Sequence, residues 1–210
     1  MLDKTLEEIE REAKREIMMK LDYIISIIYN FYPKHCEYGS KYYKKTKEYK
    51  KYLKHIKKIK YKNMEKTIDK VLKNYYLKTW PIKNEAGIHF SVLLHKGQDI
   101  LDDDVMLLES LGGRRLDLEV YISKLTKMYY LYVMETIHMN DEWTFKVFDV
   151  DKFVDKEIIS NLEILFTQQG FSRLTRDLIN EIVPGIETEL HYEGEVKVFH
   201  CLFSDLENML

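Results

Sequence analysis

Seven histidines, two cysteines and a few dense carboxylate runs are the side chains with chemistry to offer in this 210-residue chain. Two matching pairs stand out, His35-Cys36 and His200-Cys201, because four nitrogen and sulfur ligands suit tetrahedral zinc. Their spacing argues against a metal. His200 and Cys201 are neighbours in a run that reads as a strand, so their side chains should leave on opposite faces. Neither half has a CxxC or HxxxH anchor, and a small buried thiol is the simpler account. His89 and His95 share a polar row with Ser91. At roughly 3.3 Å per residue they stand about 20 Å apart, too far for joint ligation, and the solvent side of a sheet accounts for them. His138 falls at a hairpin end, and His191 on a row with Glu187 and Glu189. No metal, cofactor or catalytic group is expected from these positions.

Asp102, Asp103 and Asp104 form the densest acidic cluster, without the alternating ligands and central glycine of an EF-hand loop. They sit where a helix is about to start, and its dipole favours each negative charge there by about 0.3–1 kcal/mol. A cap of that kind can also face a partner. Gly112-Gly113-Arg114-Arg115 lacks the order of a phosphate loop and opens no helix, so the glycines read as a left-handed helix end. GxSxG and GxGxxG are both missing. From Lys41 to Lys78 there are fifteen lysines, three acids and no arginine. Such a helix can follow a phosphate backbone while tyrosines stack on bases. Its tyrosines keep core spacing, however, and arginine, the usual base reader, is absent.

The elements that must place these groups follow from periodicity. Leu2, Leu6, Ile9, Ala13, Ile17, Leu21, Ile24 and Ile28 make one helical stripe, ended by Pro33. Helices are predicted over 41–62 and from Asn63 towards Leu77. After Pro81 the period becomes two. Strands are predicted at 88–95, 116–122, 128–139 and 143–150, with a short helix at about 103–111. Helices at 153–169 and 172–183 follow, then a hairpin of 186–192 and 196–203. The fold class is α+β: a helical N-terminal region followed by an antiparallel sheet of about five to six strands with packed helices.

Charge divides along the same line. Residues 1–80 hold 21 Lys/Arg against 11 Asp/Glu, and residues 81–210 hold 12 against 24. We therefore distinguish a basic helical region (1–80) from an acidic α+β domain (81–210). The N-terminus resembles no secretory signal, and the longest uncharged run, Tyr23 to Pro33, is far short of the roughly 20 residues that span a bilayer. A cytoplasmic protein with free thiols and no membrane partner is expected.

Four stretches, Ile100–Asp104 (ILDDD), Arg114–Ser123 (RRLDLEVYIS), Val183–Glu189 (VPGIETE) and Val196–Glu207 (VKVFHCLFSDLE), resemble those of immunity-type proteins encoded beside polymorphic toxin genes in low-GC Gram-positive bacteria. The resemblance implies a small non-enzymatic protein that binds and neutralises a cognate toxin. A basic toxin domain would meet the acidic rows Asp102, Asp103, Asp104, Asp117, Glu119, Glu187 and Glu189, with fast, salt-sensitive association. The alternative is a nucleic-acid-binding module working through 41–78. A pocket with histidine and carboxylate groups in hydrogen-bond reach would instead favour an enzyme.

Overall fold

A computed structural model describes residues 6–58, 61–80, 85–95, 104–152 and 156–206. Its first element, α1 (Leu6–Ile28), lies within the predicted helix, but of the predicted stripe Ala13 and Ile17 are exposed and the fully buried residues belong to its C-terminal part. Residues 10–19 stand in solvent, while Ile24 and Ile28 are fully buried. The chain leaves α1 through a turn in which Phe31 and Tyr32 donate to the Ile28 carbonyl (2.8 and 3.0 Å), just before Pro33. Helix α2 (Lys47–Ile56) is capped by Thr46, whose hydroxyl oxygen accepts from the Tyr49 N–H at 3.3 Å. Helix α3 spans Tyr61–Val71.

Here the structure departs from the predicted helix towards Leu77. Residues Tyr76–Trp80 form strand β1, which pairs antiparallel with β2 (Gly87–Leu93). Tyr, Leu, Thr and Trp suit a pleated edge, and pairing with β2 overrides the helical spacing of Ile68, Val71, Leu72 and Tyr75. A short α4 (Asp104–Ser110) ends at Gly112 and Gly113, both in the left-handed region (φ 76° and 83°), as predicted for this glycine pair. Strands β3 (Arg114–Ser123), β4 (Met128–Met139) and β5 (Glu142–Phe148) complete an antiparallel order β1-β2-β3-β4-β5. After α5 (Lys156–Gln168) a two-residue strand, β6 (Ser172–Arg173), pairs parallel with β4. The α+β class and the strand number agree with the sequence.

The C-terminal segment does not form the predicted hairpin. A short α6 (Arg176–Asn180) leads into a loop, a single bridge joins Ile182 to Lys197, and Val198–Leu202 fold as helix α7. All five α7 residues are buried. A short run that is apolar on every side fits a buried strand and a buried helix equally well, and periodicity alone cannot separate them.

Both sheet faces are covered. On one, Ile24, Ile28, Phe31 and Ile56 pack with Tyr121, Tyr130, Tyr132 and the apolar residues of α6 and α7. On the other, Ile68 and Leu72 pack with Val120, Leu131 and α5. The compositional division at residue 80 is therefore crossed by both cores, and β1 from the first part is an edge of the sheet. Burying one large apolar side chain contributes roughly 1.5–3 kcal/mol, against about 0–1 for an exposed ion pair. Apolar contact, not attraction between a basic and an acidic half, joins the two. Among the described residues no helix is long and apolar enough to cross a membrane.

Candidate binding pocket

A strap of hydrogen bonds ties the segment after α1 to the loop before α7. Tyr29 donates its phenol to the Pro184 carbonyl (3.0 Å), and the His35 N–H donates to the Gly185 carbonyl (2.7 Å). The Tyr38 N–H donates to Glu187 Oε2 (3.0 Å), and the Tyr38 phenol to Glu189 Oε2 (3.4 Å). Gly185 has φ +72°, and a Cβ there would lie 2.8 Å from the His35 ring, so only glycine lets the two segments approach this closely. Gly87 serves the same purpose at the sheet edge, where a Cβ would lie 2.6 Å from the Phe203 carbonyl oxygen. That contact brings the neighbouring Glu85 against the end of α7.

Between these segments lies a cavity of about 160 Å³. One wall carries Tyr32, Tyr38, Tyr49, Tyr52 and Leu53; the other carries Glu85, Thr188, Glu189, His200 and Asp205. The rings of Tyr49 and Tyr52 are nearly parallel (11°), with centroids 6.2 Å apart, and Tyr32 leans on Tyr52 at 5.3 Å. Tyr32 donates its phenol to the Cys201 carbonyl at 2.9 Å. Burial raises the phenol pKa of Tyr32 and Tyr52, and pushes that of Tyr38 up to about 12 with help from the Glu189 charge. All three stay neutral across the physiological range. Burial likewise raises Glu85 to about 7, and the Asp205 carboxylate acts in the same direction. The buried Lys124 ammonium, which donates to the Glu85 backbone carbonyl (2.9 Å), is lowered to about 8.

Asp205 anchors the far wall. It accepts from the Thr188 hydroxyl (2.6 Å), the Leu190 N–H (3.0 Å) and faces His191 Nδ1 (2.9 Å), while its own N–H donates to Glu85 Oε2 (3.1 Å). His191 and His200 stack at 3.8 Å. Ligand atoms of His191, His200 and Asp205 lie within 4.8 Å of one another, the spacing that a metal ion needs. The donors are already spent. His200 Nδ1 accepts the Lys197 N–H at 3.1 Å, and both Asp205 oxygens hold backbone or side-chain donors. An ion would have to break these bonds, so the cluster fits a hydrogen-bonded knot better than a metal centre. The sequence placed His200 and Cys201 on a strand. On α7 the histidine joins the knot, whereas Cys201 is fully buried, its thiol pKa raised well above normal by burial. His35 faces Gly185 and Glu193, and Cys36 lies near Ser40.

The seven predicted acidic residues have different fates. Asp102 and Asp103 lie outside the described residues, and Asp104 is the first residue of α4. Asp117 and Glu119 are buried, at 5% and 1% exposure, and their row is not a solvated face. Asp117 pairs with Arg115 Nε (2.6 Å); Glu119 accepts from Ser91 (2.6 Å) and meets His89 Nε2 at 2.5 Å. The reading of His89 and Ser91 as a solvent row is corrected with them, because helices cover this face too. Arg114 is paired with Glu135. Glu189 is the one that lines the pocket, and Glu187 stands beside it as the acceptor of the Tyr38 N–H.

The sequence did not single out Tyr32, Tyr38, Glu85, Thr188 or Asp205, and it read Tyr49 and Tyr52 as helix core or, in the alternative, as base-stacking rings. A faint signal existed in Glu85-Ala86-Gly87, a carboxylate followed by the two smallest side chains, which is what a close approach requires. The Lys/Tyr helix divides by face. All nine lysines between Lys41 and Lys58 are exposed, whereas Tyr43, Tyr49 and Tyr52 turn into a ring cluster and are not presented to solvent for stacking. No family model matches the chain, and no curated protein or solved structure is similar to it.

Proposed function

We propose that this is a non-enzymatic protein-interaction protein, immunity-like, that binds and neutralises a basic toxin domain. The observation that carries the reading is the pocket mouth. Glu189 lines the pocket and is exposed, and the chain neighbours of the lining residues Glu189 and Asp205, Leu190 and Leu206, are exposed apolar groups, as is Tyr192 a little further on. Exposed aromatic and aliphatic side chains around a charged recess are the composition of an interaction surface. The pocket does bring His200 close to carboxylates, as an enzyme would require. Support for binding over turnover comes from Asp205, whose oxygens hold the loop in place, and from Cys201, whose buried thiol is kept protonated. The test is genetic and then physical. A gene for a large toxin with a variable C-terminal domain should lie beside this one, and that domain should bind the purified protein. Glu187→Lys with Glu189→Lys should weaken binding and flatten its salt dependence. A neighbourhood with no toxin gene, or binding indifferent to both reversals, overturns the reading.

A second reading, nucleic-acid binding, is favoured by the exposed lysine face of 41–58 alone. It requires binding of RNA or DNA that falls steeply with salt and is lost on changing several of these lysines to Glu. No binding in dilute salt removes it.

A further inference from the structure

We infer that the pocket is a receptor for one arginine side chain of the partner, its guanidinium held between the tyrosine rings and the carboxylates. The inference deepens the proposed interaction and rests on it.

Size comes first. A cavity of about 160 Å³ is well below the roughly 300–1,000 Å³ of sites for drug-sized ligands, so its occupant is a single side chain or small ion, not a nucleotide or peptide. Sign comes next. Glu189 and Asp205 face the cavity with Glu85 behind them, and no lysine or arginine is among the described lining residues. This holds although nine exposed lysines crowd residues 41–58, on the same stretch that supplies Tyr49 and Tyr52. The fold keeps its own cations out of the recess, and an anion would meet carboxylates with no counter-charge.

The shape of the walls selects among cations. Tyr49 and Tyr52 present near-parallel rings, and a planar, weakly hydrated guanidinium stacks on such faces while donating its N–H groups to the exposed Glu189 carboxylate, with Asp205 contributing charge rather than a direct bond. Burial raises the Tyr52 phenol pKa and keeps it neutral, so its ring face keeps the negative quadrupole that attracts a cation. A metal ion is disfavoured by the prior engagement of His200 Nδ1 and Asp205.

The experiment titrates the full chain with N-acetylarginine amide, following heat and the tyrosine ring resonances. Nα-acetylcitrulline amide, equal in shape but uncharged, and Nα-acetyllysine amide, equal in charge but not planar, serve as comparisons. Arginine should bind about tenfold more tightly than citrulline and more tightly than lysine, with shifts at Tyr49 and Tyr52. Glu189→Gln and Tyr49→Leu should each weaken it by about tenfold, and Lys47→Ala, on the exposed face, should not. Equal binding of arginine and citrulline, equal binding of arginine and lysine, or no binding at all overturns the assignment, and the first comparison needs no variant to fold. The two readings fail separately. A toxin domain that binds but ignores Glu189→Gln sinks the arginine receptor alone. Arginine binding without any protein partner sinks the immunity reading alone.

Discussion

The imidazoles of His191 and His200 lie nearly parallel, 17° apart with centroids separated by 3.8 Å, and Asp205 holds the first of them at Nδ1. This pair joins the loop before α7 to α7 itself, and Asp205 is the post to which both are tied. Asp205→Ala would leave the Thr188 hydroxyl, the Leu190 N–H and His191 without their acceptor. The Leu190 N–H can turn to water, but the buried Thr188 and His191 donors each cost about 1–3 kcal/mol when stranded, so we expect a loss of roughly 2 kcal/mol or more by urea unfolding. Asp205→Asn keeps one acceptor oxygen but turns amide hydrogens towards a donor, and should fall between.

Gly185 tests the strap from the opposite side. Alanine there must adopt φ +72° and displace the His35 ring. We expect Gly185→Ala to cost about 1–3 kcal/mol, while Gly194→Ala, at φ +92° but with open space around it, pays only the backbone part. Equal losses at the two positions would show that the His35 contact is unimportant.

How much of this was legible in the sequence depends on the range of the interaction. The α1 helix, the Gly112-Gly113 stop and the doubly apolar β4 are set by neighbours within a turn or a strand and appear as predicted, although Ala13 and Ile17 of the helix's stripe remain exposed. Tyr76–Trp80 becomes a strand only because β2 is beside it, and α7 forms a helix where its apolar run suited either state. The alternation of β3 was clear, but alternation cannot say whether the polar row meets water or a second layer of helices. Glu119 shows the difference: its carboxylate looked solvated, but it lies buried against His89 and Ser91 of β2, next to Tyr121, which the helical layer covers. The pocket was hidden for the same reason. Tyr38 and Glu189 are about 150 positions apart, and nothing local marks either as the other's partner.

Glu119 accordingly makes a prediction opposite in kind to Glu189. Removing Glu119 leaves the half-buried His89 and Ser91 without this acceptor, so Glu119→Ala should cost about 1–3 kcal/mol. The folded fraction should still bind any partner with unchanged affinity. Glu189→Ala, on an exposed loop, should do the reverse, with stability within about 0.5 kcal/mol of the parent and a weakened association. Measuring denaturant midpoints and binding isotherms on both variants separates the buried carboxylate from the recognition one.

Glu85 and Lys124 give the fold a distinctive pH response. Glu85 is raised from 4.5 to about 7, so the native state binds more protons than the unfolded chain between those values. Its contribution to stability is complete below pH 4.5 and is lost as pH rises through about 7. Lys124 is lowered from 10.5 to about 8, so here the unfolded chain binds more protons. Its contribution is complete above pH 10.5 and is lost as pH falls through about 8. The two windows do not overlap, and together they place the lowest stability from this pair between pH 7 and 8. Glu85→Gln should remove the descending limb and Lys124→Met the ascending one, each measured as ΔG of unfolding against pH. A Glu85→Gln profile that still falls between pH 4.5 and 7 by the parent amount would assign that limb to other carboxylates. Because Glu85 also accepts the Asp205 N–H, its protonation acts directly on the wall of the pocket, and the same titration should broaden or shift the Asp205 amide resonance near pH 7.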